Sequence, residues 1–216
     1  MNDAPVASLN RINRRFYDRY SQAFSATRER PWPGWERALN PFLAEHRAVD
    51  EPQAPPAIVD VGCGNGRFAR FLAALAAGPY RYVGIDSSQE MIRRARQEVD
   101  GYRSWVTEFR LRELTDSAVV ESHDGSFDLA VLFGVLHHIP GLERRRHLLA
   151  ELAAHLAPGG FMILSFWQFG DRQRFRRRMI DWSHHNRWTQ RPVDESQLES
   201  GDLLLSWGDR QSAEYG

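Results

Sequence analysis

The apolar positions of the chain fall into short runs that alternate with stretches of helical periodicity. Ile58, Val59 and Val61 form a β-branched run that is typical of a buried strand. Residues 127–135 are a nearly continuous apolar run, which predicts a parallel strand buried on both faces. The whole pattern predicts strands at 58–61, 82–85, 105–110, 127–135 and 161–166, with helices at 68–77, 89–99 and 142–156. This alternation indicates an α/β fold on a mostly parallel sheet.

The residues before the first strand predict a helical cap. Residues 9–24 have apolar and aromatic side chains at helical spacing, which indicates an amphipathic helix laid against the sheet. Prolines and a glycine then predict a loop at 28–35, followed by a helix at 35–44 and a linker at 50–56. We therefore divide the chain into a helical cap with its linker (1–56), a sheet domain (57–170) and a basic, aromatic C-terminal segment (171–216).

Composition narrows the class of protein. With 216 residues, the chain is long enough for one domain with a substantial core. Its formal net charge is +0, so no global field draws it to nucleic acid or to a membrane. The single cysteine, Cys63, excludes an intramolecular disulfide. Because no apolar run could cross a bilayer and no signal peptide is recognisable, we expect a cytoplasmic protein without a membrane partner.

The stretch that carries chemistry follows the first strand. Gly62, Gly64 and Gly66 form a turn that leads into a helix and lets a ligand approach the backbone. Asp60 precedes this turn, and its carboxylate suits a cationic ligand group better than a phosphate. Asp86 ends the second strand about 20 residues later, where an acidic residue binds a ribose diol. A nucleoside with a cationic appendage fits this set, and S-adenosylmethionine is such a molecule.

Four motifs resemble those of class I S-adenosylmethionine-dependent methyltransferases and occur in that family's order. They read VDVGCGNGR, GIDSSQEMI, GSFDLAVLFGVLHHI and LAPGGFMILS, within residues 58–167. The resemblance implies a Rossmann-like, doubly wound sheet with helices on both faces, S-adenosylmethionine as cofactor, and a methyl-transferring enzyme. It also implies these cofactor-binding residues: Asp60, Gly62, Cys63, Gly64, Asn65, Gly66, Asp86, Ser87, Ser88, Met91, Glu113, Leu114 and Phe133.

Two of these assignments have competing interpretations. Met91 either contacts the adenosine or only packs in the core. Glu113 and Leu114 take, by register, the places where the family puts an acid on the adenine amino group and an apolar residue on the ring. Asp116 competes with Glu113 for the first of these places.

Two adjacent histidines, His137 and His138, follow the fourth strand, and Trp167 follows the fifth. Because the carboxyl ends of parallel strands face the ligand crevice, we predict that these three residues line the active site. The histidines either position a carboxylate by hydrogen bonding or accept a proton from a phenol, amine or ring nitrogen. Trp167 either walls the substrate pocket or belongs to the core. No metal site is expected, because no cysteine or acidic cluster accompanies the histidines.

Two further segments, FYDRYSQAFSATRERPWPGW and GDLLLSWG, resemble one subgroup of this family. Its members esterify carboxymethyluridine at the tRNA wobble position, and bacterial relatives belong with them. The resemblance implies tRNA as a partner, a small activating partner protein, and a lid whose Tyr17, Arg28 and Arg30 face the substrate. The alternative for the lid is a helix and loop that only cover the sheet. The alternatives for the function are a small-molecule O- or N-methyltransferase and a cofactor-binding, non-catalytic partner subunit.

The C-terminal segment supports two interpretations. Residues 171–191 interleave arginines with tryptophans and histidines, which is typical of phosphate contact and base stacking. The alternative is a solvated helix. The resembling family continues with a helix and two strands that complete the sheet as an antiparallel hairpin. Because the sequence shows no such pattern, we expect these C-terminal strands to be missing and the chain to be truncated.

Overall fold

The computed structural model describes residues 1–47, 54–75, 79–99, 106–167, 170, 172–207 and 214–215. Two helices come first: α1 (Asp3–Ala26) and α2 (Gly34–Arg47). The sheet domain then contains β1 (Ala57–Val61), α3 (Arg67–Ala74), β2 (Arg81–Asp86), α4 (Gln89–Val99), β3 (Val106–Leu111), β4 (Phe127–Phe133), α5 (Leu142–Ala154) and β5 (Leu156–Ser165). The C-terminal segment contains α6 (Gln173–Arg176), β6 (Met179–Ile180), α7 (Trp182–Trp188), β7 (Leu204–Trp207) and β8 (Glu214–Tyr215).

The central sheet has five parallel strands in the order β3-β2-β1-β4-β5. The chain leaves β1 for β2 on one side and reaches β4 on the other, so a crevice opens at their carboxyl ends. Side chains of α2, α3 and α4 pack on one face of the sheet, and those of α5 pack on the other. The predicted α/β fold, a doubly wound and mostly parallel sheet with helices on both faces, is therefore confirmed.

Several predicted boundaries differ from the structure. Strand β4 ends at Phe133 instead of residue 135, and β5 begins at Leu156 instead of residue 161. The first helix begins at Asp3, before the predicted residue 9, because Val6 continues the buried stripe toward the N-terminus. The helix predicted at 142–156 ends at Ala154, because Leu156 already pairs with Phe127 of β4. A register irregularity follows in this pairing, across the Pro-Gly-Gly turn of β5. Trp105 of the predicted third strand and residues 50–53 of the linker lie outside the described residues.

The C-terminal segment has more structure than its sequence pattern predicted. Strands β6, β7 and β8 form a separate antiparallel sheet, and no described strand extends the central sheet beyond β5. Trp207 of β7 packs against α1, with its ring 5.4 Å from that of Phe16 and 5.9 Å from that of Phe24. The segment therefore covers the outer side of the N-terminal helix. Asp171 and Gly208, which bound the predicted basic and GDLLLSWG segments, lie outside the described residues.

Within the described residues, every helix is too short or too polar to span a membrane.

Candidate active site

The glycine turn is fixed to the end of β2 by backbone hydrogen bonds. The amides of Gly62 and Cys63 both donate to the carbonyl of Ile85, at 2.7 and 3.0 Å, and Gly66 donates to Cys63 at 3.1 Å. This connection places the turn after β1 beside Asp86, the last residue of β2. Two stretches that the sequence separates by a helix thus form one site.

Two glycines of the turn meet different surroundings. Gly62 has φ +72°, and a Cβ added to it would lie 2.3 Å from Cγ2 of Val135, so packing requires glycine there. Gly64 has φ +54°, and a Cβ added to it would have no atom within 4 Å. The turn is therefore closed on the Gly62 side and open on the Gly64 side, where a ligand can approach the backbone. Gly66, with φ +73°, and the half-buried Asn65 complete the turn.

Asp86 is oriented by two backbone donors. Its Oδ2 accepts from the amide of Gly64, and its Oδ1 accepts from the amide of Ser88, both at 2.9 Å. Burial raises the pKa of this carboxyl, and the two amides oppose that shift. Each carboxylate oxygen keeps a second lone pair, so Asp86 can still accept from two vicinal hydroxyls. This geometry suits the ribose diol that the sequence predicted, and Ser87 lies half-buried beside it.

Ser88 and Met91 have structural partners. The Ser88 hydroxyl donates to Asp18 of α1 at 2.6 Å and accepts from the amide of Met91 at 3.2 Å. Ser88 therefore caps α4, and its hydroxyl is already engaged by these two groups. The side chain of Met91 is buried in the core. The core-packing interpretation of Met91 thus matches its position.

Asp60 lies beneath the glycine turn and faces away from solvent. Its side chain is 2% exposed, and the Tyr82 hydroxyl donates to it at 2.5 Å. Burial raises the pKa of Asp60 to about 7, although the Tyr82 hydrogen bond and the positive charge of Arg67 act in the other direction. Cys63 is buried on the same side, and burial raises the pKa of its thiol. The carboxylate predicted to face a cationic ligand group is thus a buried partner of Tyr82.

The residues predicted around the adenine separate into two environments. Leu114 is buried against the α5 side of the sheet. Glu113 is half-buried, accepts from the amide of Leu114 at 3.1 Å, and lies 3.4 Å from Arg14 of α1. Burial raises the pKa of Glu113. Asp116 is exposed. Phe133 packs among aromatic rings, 4.9 Å from the ring centroid of Phe68, and belongs to the cluster that α2 covers.

The predicted catalytic and substrate residues meet at the carboxyl ends of β4 and β5. The Tyr17 hydroxyl lies 2.8 Å from Nε2 of His138. The rings of His137 and Trp167 stack with centroids 5.8 Å apart, and the Trp167 side chain is 48% exposed. The guanidinium of Arg28 lies 5.9 Å from the centre of the Trp167 ring. We call these five residues the rim cluster.

Burial sets the protonation of this cluster. It lowers the pKa of His137 to about 4. Burial also lowers the pKa of His138 well below its usual value, with added repulsion from His137 and Arg28. It raises the pKa of Tyr17, which also lies near the charge of Asp86. Both histidines are therefore neutral at neutral pH, and Tyr17 keeps its proton. Arg30 is exposed, and only its backbone carbonyl contacts the site, by accepting from Arg67 at 3.3 Å.

Helix α1 lies across the whole ligand edge of the sheet. Asn10 donates to Thr115 after β3 at 2.6 Å, and Asn13 donates to the carbonyl of His138 after β4 at 3.2 Å. Asp18 reaches the start of α4, as described above. These polar residues, and Tyr82, were missed by the sequence analysis. The signal for Asn10, Asn13 and Asp18 is their place on the helix predicted to lie against the sheet.

Comparisons with known proteins identify the relatives of this chain. Residues 59–162 match the protein family described as a methyltransferase domain. The tRNA (carboxymethyluridine(34)-5-O)-methyltransferase ALKBH8 of Mus musculus is 28% identical over 182 residues, which are 83% of this chain and 23% of that protein. The ubiquinone biosynthesis O-methyltransferase of Xanthomonas axonopodis is 30% identical over 129 residues, which are 59% of this chain and 50% of that protein. The chain thus spans between a quarter and a half of these curated relatives.

A solved structure shares the fold. It is the complex between the Haloferax volcanii Trm112 methyltransferase activator and a putative methyltransferase, with a TM-score of 0.51 and 23% identity. The match covers 69% of this chain and 57% of that one. Together with the open glycine turn and the free lone pairs of Asp86, these findings place the chain in a family and assign its cofactor. Residues 59–162 belong to the methyltransferase domain family, and S-adenosylmethionine is the cofactor.

Proposed function

We propose that this chain methylates the carboxylate of a carboxymethylated uridine at the tRNA wobble position and so forms a methyl ester. The observation that carries the proposal is the rim cluster: two neutral histidines, a half-exposed tryptophan and an arginine, with Tyr17 near the charge of Asp86. Such a set can hold a flat base that bears a carboxylate. The identity to ALKBH8 of the mouse, which is named for this substrate, supports the proposal.

The protonation of the cluster favours an acceptor that needs no base. S-adenosylmethionine supplies a methyl group on a sulfonium, which leaves as a neutral thioether. A carboxylate oxygen is already ionised at neutral pH, so one C–O bond forms, one C–S bond breaks, and no proton moves. Histidines whose pKa values are lowered by burial are weak bases, and they suit hydrogen bonding to the acceptor instead. Helix α1 contacts the residues that follow β2, β3 and β4 and so covers part of the site.

A basic surface beside the lid suits an RNA substrate. Burial and the neighbouring charges of Arg191, Arg15 and Arg14 lower the pKa of Arg11. Positive charges of α1 and of the C-terminal segment therefore lie close together. Trp188, three residues before Arg191, is 76% exposed. Arginines beside an exposed aromatic ring are the groups that contact phosphates and stacked bases. We propose that this surface, Arg11, Arg15, Trp188 and Arg191, contacts the tRNA.

The direct test is methyl transfer to tRNA with radiolabelled S-adenosylmethionine. The proposal predicts label in the tRNA fraction that mild alkali releases as methanol, because an ester is cleaved and an N-methyl or ether group is not. The variant Arg15→Glu with Arg191→Glu should lose tRNA binding and retain cofactor binding. The variant Arg37→Glu with Arg146→Glu, two exposed arginines on α2 and α5, is the charge-matched control. Alkali-stable label, or no transfer to tRNA, would contradict the proposal.

A small-molecule O-methyltransferase is the second candidate. The Xanthomonas relative, named for ubiquinone biosynthesis, favours it. The same assay with a small-molecule cell extract separates the two candidates, since a phenolic product would carry an alkali-stable methyl group. Cofactor binding without transfer to either pool would favour a non-catalytic partner subunit.

We further propose that the chain works in the cytoplasm with a small activating protein. The shared fold with a methyltransferase that is bound to the Trm112 activator supports this partner. Co-expression with a protein of that kind should raise the yield of soluble chain and its methyl transfer. Unchanged yield and unchanged activity would count against the partner.

A further inference from the structure

Two arginines at the active site have no acidic partner. Among the described residues, no carboxylate lies within 4.0 Å of the guanidinium of Arg28 or Arg67, whereas Arg110 is held by both Glu108 and Asp124 at 2.7 Å. The side chains of Arg28 and Arg67 are nevertheless only half-exposed. A guanidinium in such a position is normally paired, so the missing anion calls for an explanation.

Aromatic rings hold the side chains of Arg28 and Arg67 in place. The backbone carbonyl of Arg30 also accepts a hydrogen bond from Nη1 of Arg67 at 3.3 Å. The guanidinium carbon of Arg28 lies 3.7 Å from the ring centre of Phe24, and its Nη1 donates to the Thr27 hydroxyl at 2.6 Å. The guanidinium carbon of Arg67 lies 4.8 Å from the ring centre of Trp35. Stacking on a ring leaves the edge of a guanidinium free for the two parallel hydrogen bonds that a carboxylate accepts.

The two charges also lie close enough to affect each other. Burial, together with the charges of Arg28 and Arg70, lowers the pKa of Arg67 to about 10, and the charge of Asp60 opposes this shift. Arg67 begins α3 directly after the glycine turn, and Arg28 lies beside Tyr17 and His138 of the rim cluster. One arginine of the pair therefore lies at the glycine turn, and the other lies in the rim cluster. Two like charges that are partly desolvated there are relieved by one anion between them.

We propose that Arg28 of the rim cluster and Arg67 beside the glycine turn form a carboxylate-binding subsite. A monoanion suits it better than a phosphate, because Asp60 and Asp86 lie nearby and repel a dianion more strongly. Two molecules in the reaction carry a carboxylate. One is the cofactor, on its methionyl group. The other, resting on the function proposed above, is the acceptor uridine. The subsite binds one of these.

Binding titrations with matched analogues test the subsite and identify the carboxylate. The first arm compares S-adenosylhomocysteine with its decarboxylated analogue, for the wild type, Arg28→Gln and Arg67→Gln. The second arm compares 5-carboxymethyluridine with its amide, both in the presence of S-adenosylhomocysteine. Arg37→Gln, an exposed arginine on α2, is the control, and thermal unfolding verifies that each variant is folded.

The proposal predicts that the wild type prefers the carboxylate ligand at least tenfold in one arm, and that either variant removes most of this preference. Loss of the preference in the first arm shows that the subsite binds the cofactor's carboxylate. Loss of the preference in the second arm shows that it binds the acceptor's carboxylate. Ratios that are the same in the wild type and both variants in both arms overturn the subsite. The proposed function is contradicted by a separate result, which is the absence of methyl transfer to tRNA. That result does not depend on which arm shows a preference for the carboxylate ligand.

Discussion

The two glycines Gly62 and Gly64 should respond to alanine in opposite ways. Both have positive φ values, +72° and +54°, so a Cβ costs about 1–2 kcal/mol at either position. At Gly62 the new methyl group would also lie 2.3 Å from Cγ2 of Val135, and overpacking of this kind costs about 1–3 kcal/mol more. Gly62→Ala should therefore destabilise the protein by about 2–5 kcal/mol, and Gly64→Ala by only about 1–2 kcal/mol.

Cofactor binding should show the reverse order. The space that a Cβ at Gly64 would enter is free of protein atoms within 4 Å and lies beside Asp86. A methyl group there keeps the nucleoside from the backbone, so Gly64→Ala should weaken S-adenosylhomocysteine binding at least tenfold, or about 1.4 kcal/mol. Gly62→Ala should change the affinity of the folded fraction less, because its methyl group points at Val135.

Urea unfolding and calorimetric titration on the same three proteins measure both quantities. The double variant Gly62→Ala with Val135→Ala is the control, since removing the Cγ atoms should recover part of the lost stability. Equal destabilisation at the two glycines would refute the packing argument. Unchanged affinity in Gly64→Ala would refute the placement of the ligand.

Three further predictions concern the polar contacts. Because Asp60 has its pKa raised from 3.8 to about 7, the folded state holds its proton more tightly, and ionisation lowers stability as pH rises through this window. Urea unfolding from pH 4 to pH 8 measures this loss of stability, which is at most about 4 kcal/mol. Asp60→Asn should reduce the loss. An unchanged slope of stability against pH would exclude Asp60 as its source. Asp18→Ala should remove the Ser88 hydrogen bond and lower stability by about 1 kcal/mol, whereas Asp181→Ala, exposed on the C-terminal segment, should have no such effect. Tyr17→Phe should lower kcat for methyl transfer and leave S-adenosylhomocysteine affinity within twofold, because it removes only the hydroxyl beside His138; a loss of cofactor affinity would contradict this role.

The sequence was sufficient for the central sheet because local signals define it. The run at β4 has apolar residues on both faces, and the turn at Gly62 needs positive φ, so both follow from nearby residues. The adjacency of Asp86 to this turn follows from the parallel pairing of β1 with β2. The convergence of His138 and Trp167 follows in the same way, from the pairing of β4 with β5.

Other parts of the site depend on contacts that no local pattern encodes. Tyr82 of β2 reaches Asp60 of the neighbouring β1, and Asp18 reaches Ser88 from a helix 70 residues away, so neither pairing has a sequence spacing of its own. The C-terminal strands were missed for a different reason. Strand β6 has only two residues, which is too short for an alternating pattern to appear.

Titration of S-adenosylhomocysteine into the wild type and Asp86→Ala tests the account most directly. Asp86 accepts from Gly64 and Ser88 and has lone pairs left for the ribose diol, so its loss should weaken binding at least tenfold, about 1.4 kcal/mol. Glu143→Ala, an exposed carboxylate on α5, should bind like the wild type. Equal affinity in the wild type and Asp86→Ala would contradict the claim that this edge of the sheet binds the cofactor's nucleoside.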